Sequence, residues 1–153
     1  MLKGKCGCGA VTYQMKSKPM FVNCCHCSEC QTQTGSAFVL NAIIEADRVE
    51  YDGPVDEFTL PTPSGNGQVI TRCSKCGVAV FSSYLIRLGK LRHIRVGTLD
   101  DPNACPPDAH IFTSSKLSWL SLGPDAPVFK DSYNFKEVWS ESSLARWREL
   151  FGD

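Results

Sequence analysis

Nine of the 153 residues are cysteine, and eight of them fall in three short clusters. These are Cys6-Gly7-Cys8, Cys24-Cys25-His26-Cys27-Ser28-Glu29-Cys30 and Cys73-Ser74-Lys75-Cys76. No other feature constrains the fold as strongly. Under reducing conditions, thiols at such spacings read as metal ligands before they read as disulfide partners. Cys73-Ser74-Lys75-Cys76 followed by Gly77 has the shape of a zinc knuckle, in which two thiolates curl around one ion at Zn–S distances of ~2.3 Å. Gly77 supplies the permissive backbone dihedrals of such a turn. Cys6-Gly7-Cys8-Gly9 has the same glycine habit. Either pair fills half a tetrahedron, so Cys6, Cys8, Cys73 and Cys76 together make a closed four-cysteine site that ties the start of the chain to its middle. Disulfides or unligated buried thiols are the plain alternative. Cys105, between Ala104 and Pro106, stands alone and reads as an incidental thiol.

The middle cluster says more about chemistry. Cys25, Cys27 and Cys30 can converge on one metal while supplying three sulfurs, and an open fourth position is what separates catalytic from structural zinc. Cys24 is the competing fourth ligand. Neighbouring residues on an extended backbone point in opposite directions, which argues against it. His26, between two of the proposed ligands, is a further candidate for the fourth position or for acid–base work, although a residue so placed more often points away.

Charge narrows the partners. Lys plus Arg and Asp plus Glu total 16 each, with 7 of each over residues 1–76 and 9 of each beyond. Such a balance carries no basic footprint for nucleic acid or an anionic membrane. No apolar run approaches the ~18 residues of a membrane span, and MLKGKCGCGA lacks the apolar stretch of a secretory signal. The expectation is a soluble, cytoplasmic protein. Its length suits one domain over residues 1–153.

The clusters and what lies between them resemble the glutathione-dependent formaldehyde-activating enzyme family, which in eukaryotes includes centromere protein V. The matching stretches run in order: Gly4-Lys5-Cys6-Gly7-Cys8-Gly9-Ala10-Val11, then Cys25-His26-Cys27-Ser28-Glu29-Cys30 with Thr34-Gly35-Ser36-Ala37-Phe38. Next come Cys73-Ser74-Lys75-Cys76-Gly77, Val96-Gly97-Thr98-Leu99-Asp100-Asp101-Pro102, and His110-Ile111 with Ser114-Ser115-Lys116 and Trp119. The resemblance implies a mainly β fold of the zinc-containing β-tent type built of antiparallel strands. It also implies two zinc ions, one structural on Cys6, Cys8, Cys73 and Cys76 and one catalytic on Cys25, Cys27 and Cys30. With them comes carbon–sulfur lyase or adduct-forming chemistry, in which a small-molecule thiol, glutathione, combines reversibly with an aldehyde, formaldehyde. It further implies that the Phe112–Trp119 stretch lies near the open zinc, so that His110 just before it would hydrogen-bond a substrate or orient a water; a satisfied structural histidine is the alternative.

The segments themselves agree with a β-rich domain. Val11, Tyr13 and Met15 alternate with polar residues, and Ser36 to Ile44 is a β-branched and aromatic run. Arg48 to Tyr51 and Val55 to Leu60 flank Asp52-Gly53-Pro54, which reads as a hairpin turn. Gln68 to Arg72 and Val78 to Tyr84 flank the knuckle, and Leu91 to Val96 completes the set. Residues 61–67 and 101–107 read as loops. Ser142 to Phe151 places Leu144, Trp147, Leu150 and Phe151 at helical spacing beneath a serine cap. That short helix packs on its own chain or against a second copy in a homodimer. His93 takes no role. Arg92, Arg95 and Lys116 are either partners for the carboxylates of glutathione or plain solvated cations.

Two main functions follow, and a redox protein using Cys24, Cys25, Cys27 and Cys30 as dithiols is a third, with Fe–S ligation open as well because spacing alone does not choose the metal. One is a zinc-dependent enzyme making or breaking a C–S bond between a thiol and a small carbonyl compound. The other is a non-catalytic zinc-stabilised interaction domain whose middle cluster is closed or serves as a metal store.

Overall fold

Successive side chains on extended backbone face opposite ways, and the stretch from residue 11 to 15 follows that alternation. Val11, Tyr13 and Met15 are buried while Thr12 between them is exposed. The computed structural model describes residues 1–62, 64–87 and 89–152. Pro63, inside the loop expected at residues 61–67, lies outside the described residues. The described residues are mainly β: ten strands in two sheets, with short helices and a C-terminal helix. They pack as two compact units, residues 1–19 with 42–105 and residues 20–41 with 106–153.

In the first unit, β1 (Leu2–Lys5), β2 (Thr12–Met15) and β5 (Val49–Asp52) form an antiparallel sheet in the order β1-β2-β5. β6 (Val55–Leu60), β7 (Gln68–Cys73), β8 (Ala79–Tyr84) and β9 (Leu91–Arg95) follow as an antiparallel meander. Val11, Met15, Ile70, Val80, Phe81 and Ile94 are sealed in its core. The expected hairpin across Asp52-Gly53-Pro54 does not form: β5 pairs with β2 and β6 with β7, so the chain changes sheets there. Gly53 sits at φ 113°, and a Cβ on it would collide with Ala10 O. What reads as a hairpin turn is a corner pressed against the backbone of Ala10 and Val11, just before β2.

In the second unit, β3 (Phe21–Cys25) is buried along most of its length and pairs with β10 (Ala109–Ile111). That pairing is parallel, whereas those of the first unit named above are antiparallel. β4 (Val39–Glu45), whose residues 39–41 are counted in this unit and 42–45 in the first, is buried at nearly every position. Helix α1 (Ser28–Thr34), absent from the sequence reading, follows β3, and α2 (Phe135–Val138) precedes α3 (Glu141–Phe151). α3 begins at Glu141 under Ser140, two residues before the cap expected near Ser142, because the Ser140 side chain accepts the Ser143 N–H. The helix packs on its own chain. The Trp147 ring lies 4.5 Å from those of Phe135 and Phe151, and Trp139 stacks on Phe21 at 5.5 Å. Among the described residues no helix is long and apolar enough to cross a membrane.

Candidate functional site

Two turns of the same design carry the outer cysteines. Just after β1, Cys6 N–H donates to Val11 O and Gly9 N–H donates back to Cys6 O at 3.1 Å. At the end of β7, Cys73 N–H donates to Val78 O and Gly77 N–H to Cys73 O at 2.8 Å. Gly9 and Gly77 both adopt positive φ, at 75° and 73°, which explains the glycine after each pair. The turns bring Cys6, Cys8, Cys73 and Cys76 together, with all four sulfurs within 4.8 Å of one another. Cys6–Cys8 and Cys8–Cys73 sulfurs stand 3.6 and 3.8 Å apart. Four sulfurs held tetrahedrally at ~2.3 Å from one zinc would stand about 3.8 Å apart, so the donor set fits the ion. Burial opposes ionisation of Cys6, but hydrogen bonds from Val11 N–H and the Cys73 and Cys8 thiols outweigh it and bring its pKa down to about 6.

The middle cluster divides in two. Cys25, at the end of β3, gathers with Cys27 and Cys30, all three sulfurs within 4.8 Å of one another. Cys27 caps α1: its sulfur accepts the Cys30 N–H at 3.3 Å, where a serine or aspartate oxygen is the usual acceptor. The three thiols share their protons. Hydrogen bonds from the Cys25 and Cys30 thiols pull Cys27 far down, the contact with Cys27 pushes Cys25 up to about 11, and contacts with Cys25 first and Cys27 second push Cys30 further up.

Cys24 turns the other way. It lies with His26 and His110, where His26 Nε2 is 3.4 Å from Cys24 Sγ and 3.0 Å from His110 Nδ1. Burial pushes the Cys24 thiol up to about 12, and burial holds both imidazoles below the ordinary histidine value. His110, expected to serve the open zinc from its place just before the Phe112–Trp119 stretch, is thus gathered with Cys24 and His26 rather than with the three-thiol group. The alternation of β3 is the sequence signal for this split, since residues 24 and 26 share a side that residue 25 does not.

A brace holds these residues, and the sequence reading missed it. Gln31 Nε2 donates to both His26 O and Ser115 O at 2.9 Å, and Ser115 Oγ donates to His26 O at 3.0 Å. The turn between β3 and α1 is thereby tied to the segment after β10. Beside α1 a shallow groove of about 590 Å³ is lined by Gln31, Gly35, Ala37, Leu117 and Trp119, with Trp119 70% exposed. The three cations weighed as carboxylate partners have structural engagements. Lys116 Nζ donates to Leu117 O, Arg92 lies 4.3 Å over the Phe81 ring, and Arg95 is buried. None of the nine cysteines is in a disulfide, and Cys105 is buried.

A Halomonas elongata protein provisionally named a glutathione-dependent formaldehyde-activating enzyme is 28% identical to this chain over 164 aligned positions, covering 99% of this chain and 97% of its own length. A crystal structure of a Rhodobacter sphaeroides protein superposes with a TM-score of 0.50 at 14% identity, covering 82% of this chain and 98% of the other, a likeness of fold alone. The sequence profile described as "Glutathione-dependent formaldehyde-activating enzyme" matches residues 1–115. That stretch carries all three cysteine clusters together with His110, and on it the chain belongs to the glutathione-dependent formaldehyde-activating enzyme family.

Proposed function

We propose that the chain is a zinc-dependent enzyme that reversibly joins a glutathione-like thiol to a small aldehyde, with formaldehyde the aldehyde of its family's name. Cys6, Cys8, Cys73 and Cys76 would hold a structural zinc, and Cys25, Cys27 and Cys30 a catalytic one. The observation that carries this reading is the position of Cys24. The side chain that could have closed the three-thiol group is gathered with His26 and His110 instead. Three protein ligands with an open position form the donor set of catalytic zinc, and four form that of structural zinc. A bound zinc lowers the pKa of a thiol that coordinates it and polarises a carbonyl oxygen.

The chain's own part is to hold and orient. α1 fixes Cys27 and Cys30 one turn apart, and the Gln31–Ser115 brace keeps that turn in place. The groove beside α1, with glycine and alanine in its lining and Trp119 at one side, suits the peptide part of the thiol compound. In the joining direction the thiol sulfur bonds to the aldehyde carbon, the carbonyl π bond breaks, and the proton lost from sulfur ends on oxygen as a hydroxymethyl thioether. The reverse breaks the same C–S bond and returns the proton to sulfur. His110 Nδ1 is engaged with His26, so any proton His110 handles passes through Nε2.

The test is cobalt substitution of the untagged protein followed by titration with glutathione. Coordination of the thiol at the three-cysteine ion should shift the ligand-field bands. Bands unmoved at saturating glutathione would point to a closed site and to the interaction-domain reading instead.

A further inference from the structure

Cys24, His26 and His110 lie outside the two zinc sites of that reading. We propose that these three residues form a third metal site, taking a divalent cation of the zinc class through one thiolate sulfur and two imidazole nitrogens.

The topology delivers the donors. β10 lies parallel to β3 with His110 opposite Cys24, and directly paired residues share a face of the sheet. His26 follows Cys24 at the spacing that returns to the same side, and its N–H donates to Ile111 O at 3.0 Å. The three ligand atoms converge within 4.8 Å of one another.

The proton inventory of the cluster does not close by itself. His26 Nε2 carries either one hydrogen or one in-plane lone pair, yet it faces both Cys24 Sγ at 3.4 Å and His110 Nδ1 at 3.0 Å. Whichever form it takes, one straight hydrogen bond is available for two neighbours. Cys24 and His26 are 2% and 0% exposed, so solvent does not make up the difference. A cation between the three would take a lone pair from each at once. At ~2.0–2.1 Å from nitrogen and ~2.3 Å from sulfur, tetrahedral zinc sets N···N near 3.3 Å and S···N near 3.5 Å, so the ion would part the two rings by a few tenths of an ångström.

Binding would release the Cys24 thiol proton to solvent and leave a net charge of about +1 on the site, which suits an anion as fourth ligand. The half-buried His110 side is the way in. His26 Nδ1 is buried without a hydrogen-bond partner, so the ring's orientation rests on packing against Phe38, 5.6 Å between centroids, and on the clamp at its carbonyl.

The other two cysteine groups contain no histidine, and the remaining imidazole, His93, belongs to no such cluster among the described residues. Imidazole bound to metal therefore reports on this site alone. The experiment is zinc-edge X-ray absorption with a zinc-to-protein ratio on untagged, zinc-loaded and desalted protein, for the parent, Cys24→Ala and His110→Asn. The parent should show outer-shell imidazole scattering. Each variant should lose that scattering together with one zinc equivalent. His110→Asn changes a half-buried position and keeps the test readable if Cys24→Ala folds poorly. A parent without imidazole scattering would overturn the proposal in favour of a plain hydrogen-bonded imidazole pair. So would scattering that survives both substitutions. Cys27→Ser separates this proposal from the enzyme reading, since it should remove a sulfur-bound equivalent and leave the imidazole signal intact.

Discussion

His93 on β9 is an imidazole that its surroundings keep uncharged. Its ring meets Tyr84 edge-on at 5.0 Å, and its Nδ1 is sealed from solvent without a hydrogen-bond partner. Burial first, and the nearby Arg95 guanidinium second, hold its pKa down to about 4, against 6.5 for an ordinary histidine. The folded chain thus resists a proton that the unfolded chain accepts. The stability tied to His93 is complete above about pH 6.5 and drains away as pH falls toward 4. The amount is on the order of 1–3 kcal/mol. Urea midpoints measured down that window should fall more steeply for the parent than for His93→Gln, and the difference between the two subtracts any acid release of thiolate-bound metal. Parallel curves would show that His93 titrates alike in both states.

At the scale of elements, a buried hydroxyl helps to fasten α3. Ser143 Oγ, in its first turn, donates to Met20 O at 2.6 Å in a buried setting just before β3 begins. Ser143→Ala strands that carbonyl and should lower stability by about 1–3 kcal/mol, read as a drop in urea midpoint. A midpoint unchanged would mean the carbonyl finds another donor. How far the elements were legible follows from where their signals lie. The glycine after each outer cysteine pair and the helical spacing of Leu144, Trp147 and Leu150 are local, and both were read correctly to within two residues. Asp52-Gly53-Pro54 advertises a turn whatever its flanks pair with, so the switch of sheets there was invisible. β10 is three residues long and is defined by pairing with β3, more than eighty positions away in sequence. The parting of Cys24 from Cys25 is legible once that stretch is taken as extended, and β3 over residues 21–25 supplies the extended backbone.

Across the whole molecule, the two thiol groups differ in what they crosslink. Cys8 and Cys73 touch across 65 positions of sequence, whereas Cys25, Cys27 and Cys30 lie within one short stretch. Structural zinc can contribute roughly 10–16 kcal/mol in small zinc-finger peptides, against a total stability of ~5–15 kcal/mol for an ordinary domain. Cys76→Ser should therefore give insoluble or protease-sensitive protein, and Cys27→Ser a folded protein short of one zinc and of activity. Thermal melts with metal analysis decide between these roles; a Cys27→Ser variant that unfolds beside a Cys76→Ser variant that melts like the parent would exchange the structural and catalytic labels. The same span also orders events during synthesis. The ribosome has delivered every residue of the local trio by position 30, but the long-range site has all its ligands only after position 76. At about 5–20 residues per second, Cys6 and Cys8 wait roughly 3–14 s for Cys73 and Cys76. Through that interval the nascent chain presents a ready local thiol trap and an unfinished pair, so metal supply during translation bears on the trio first and on the fold last.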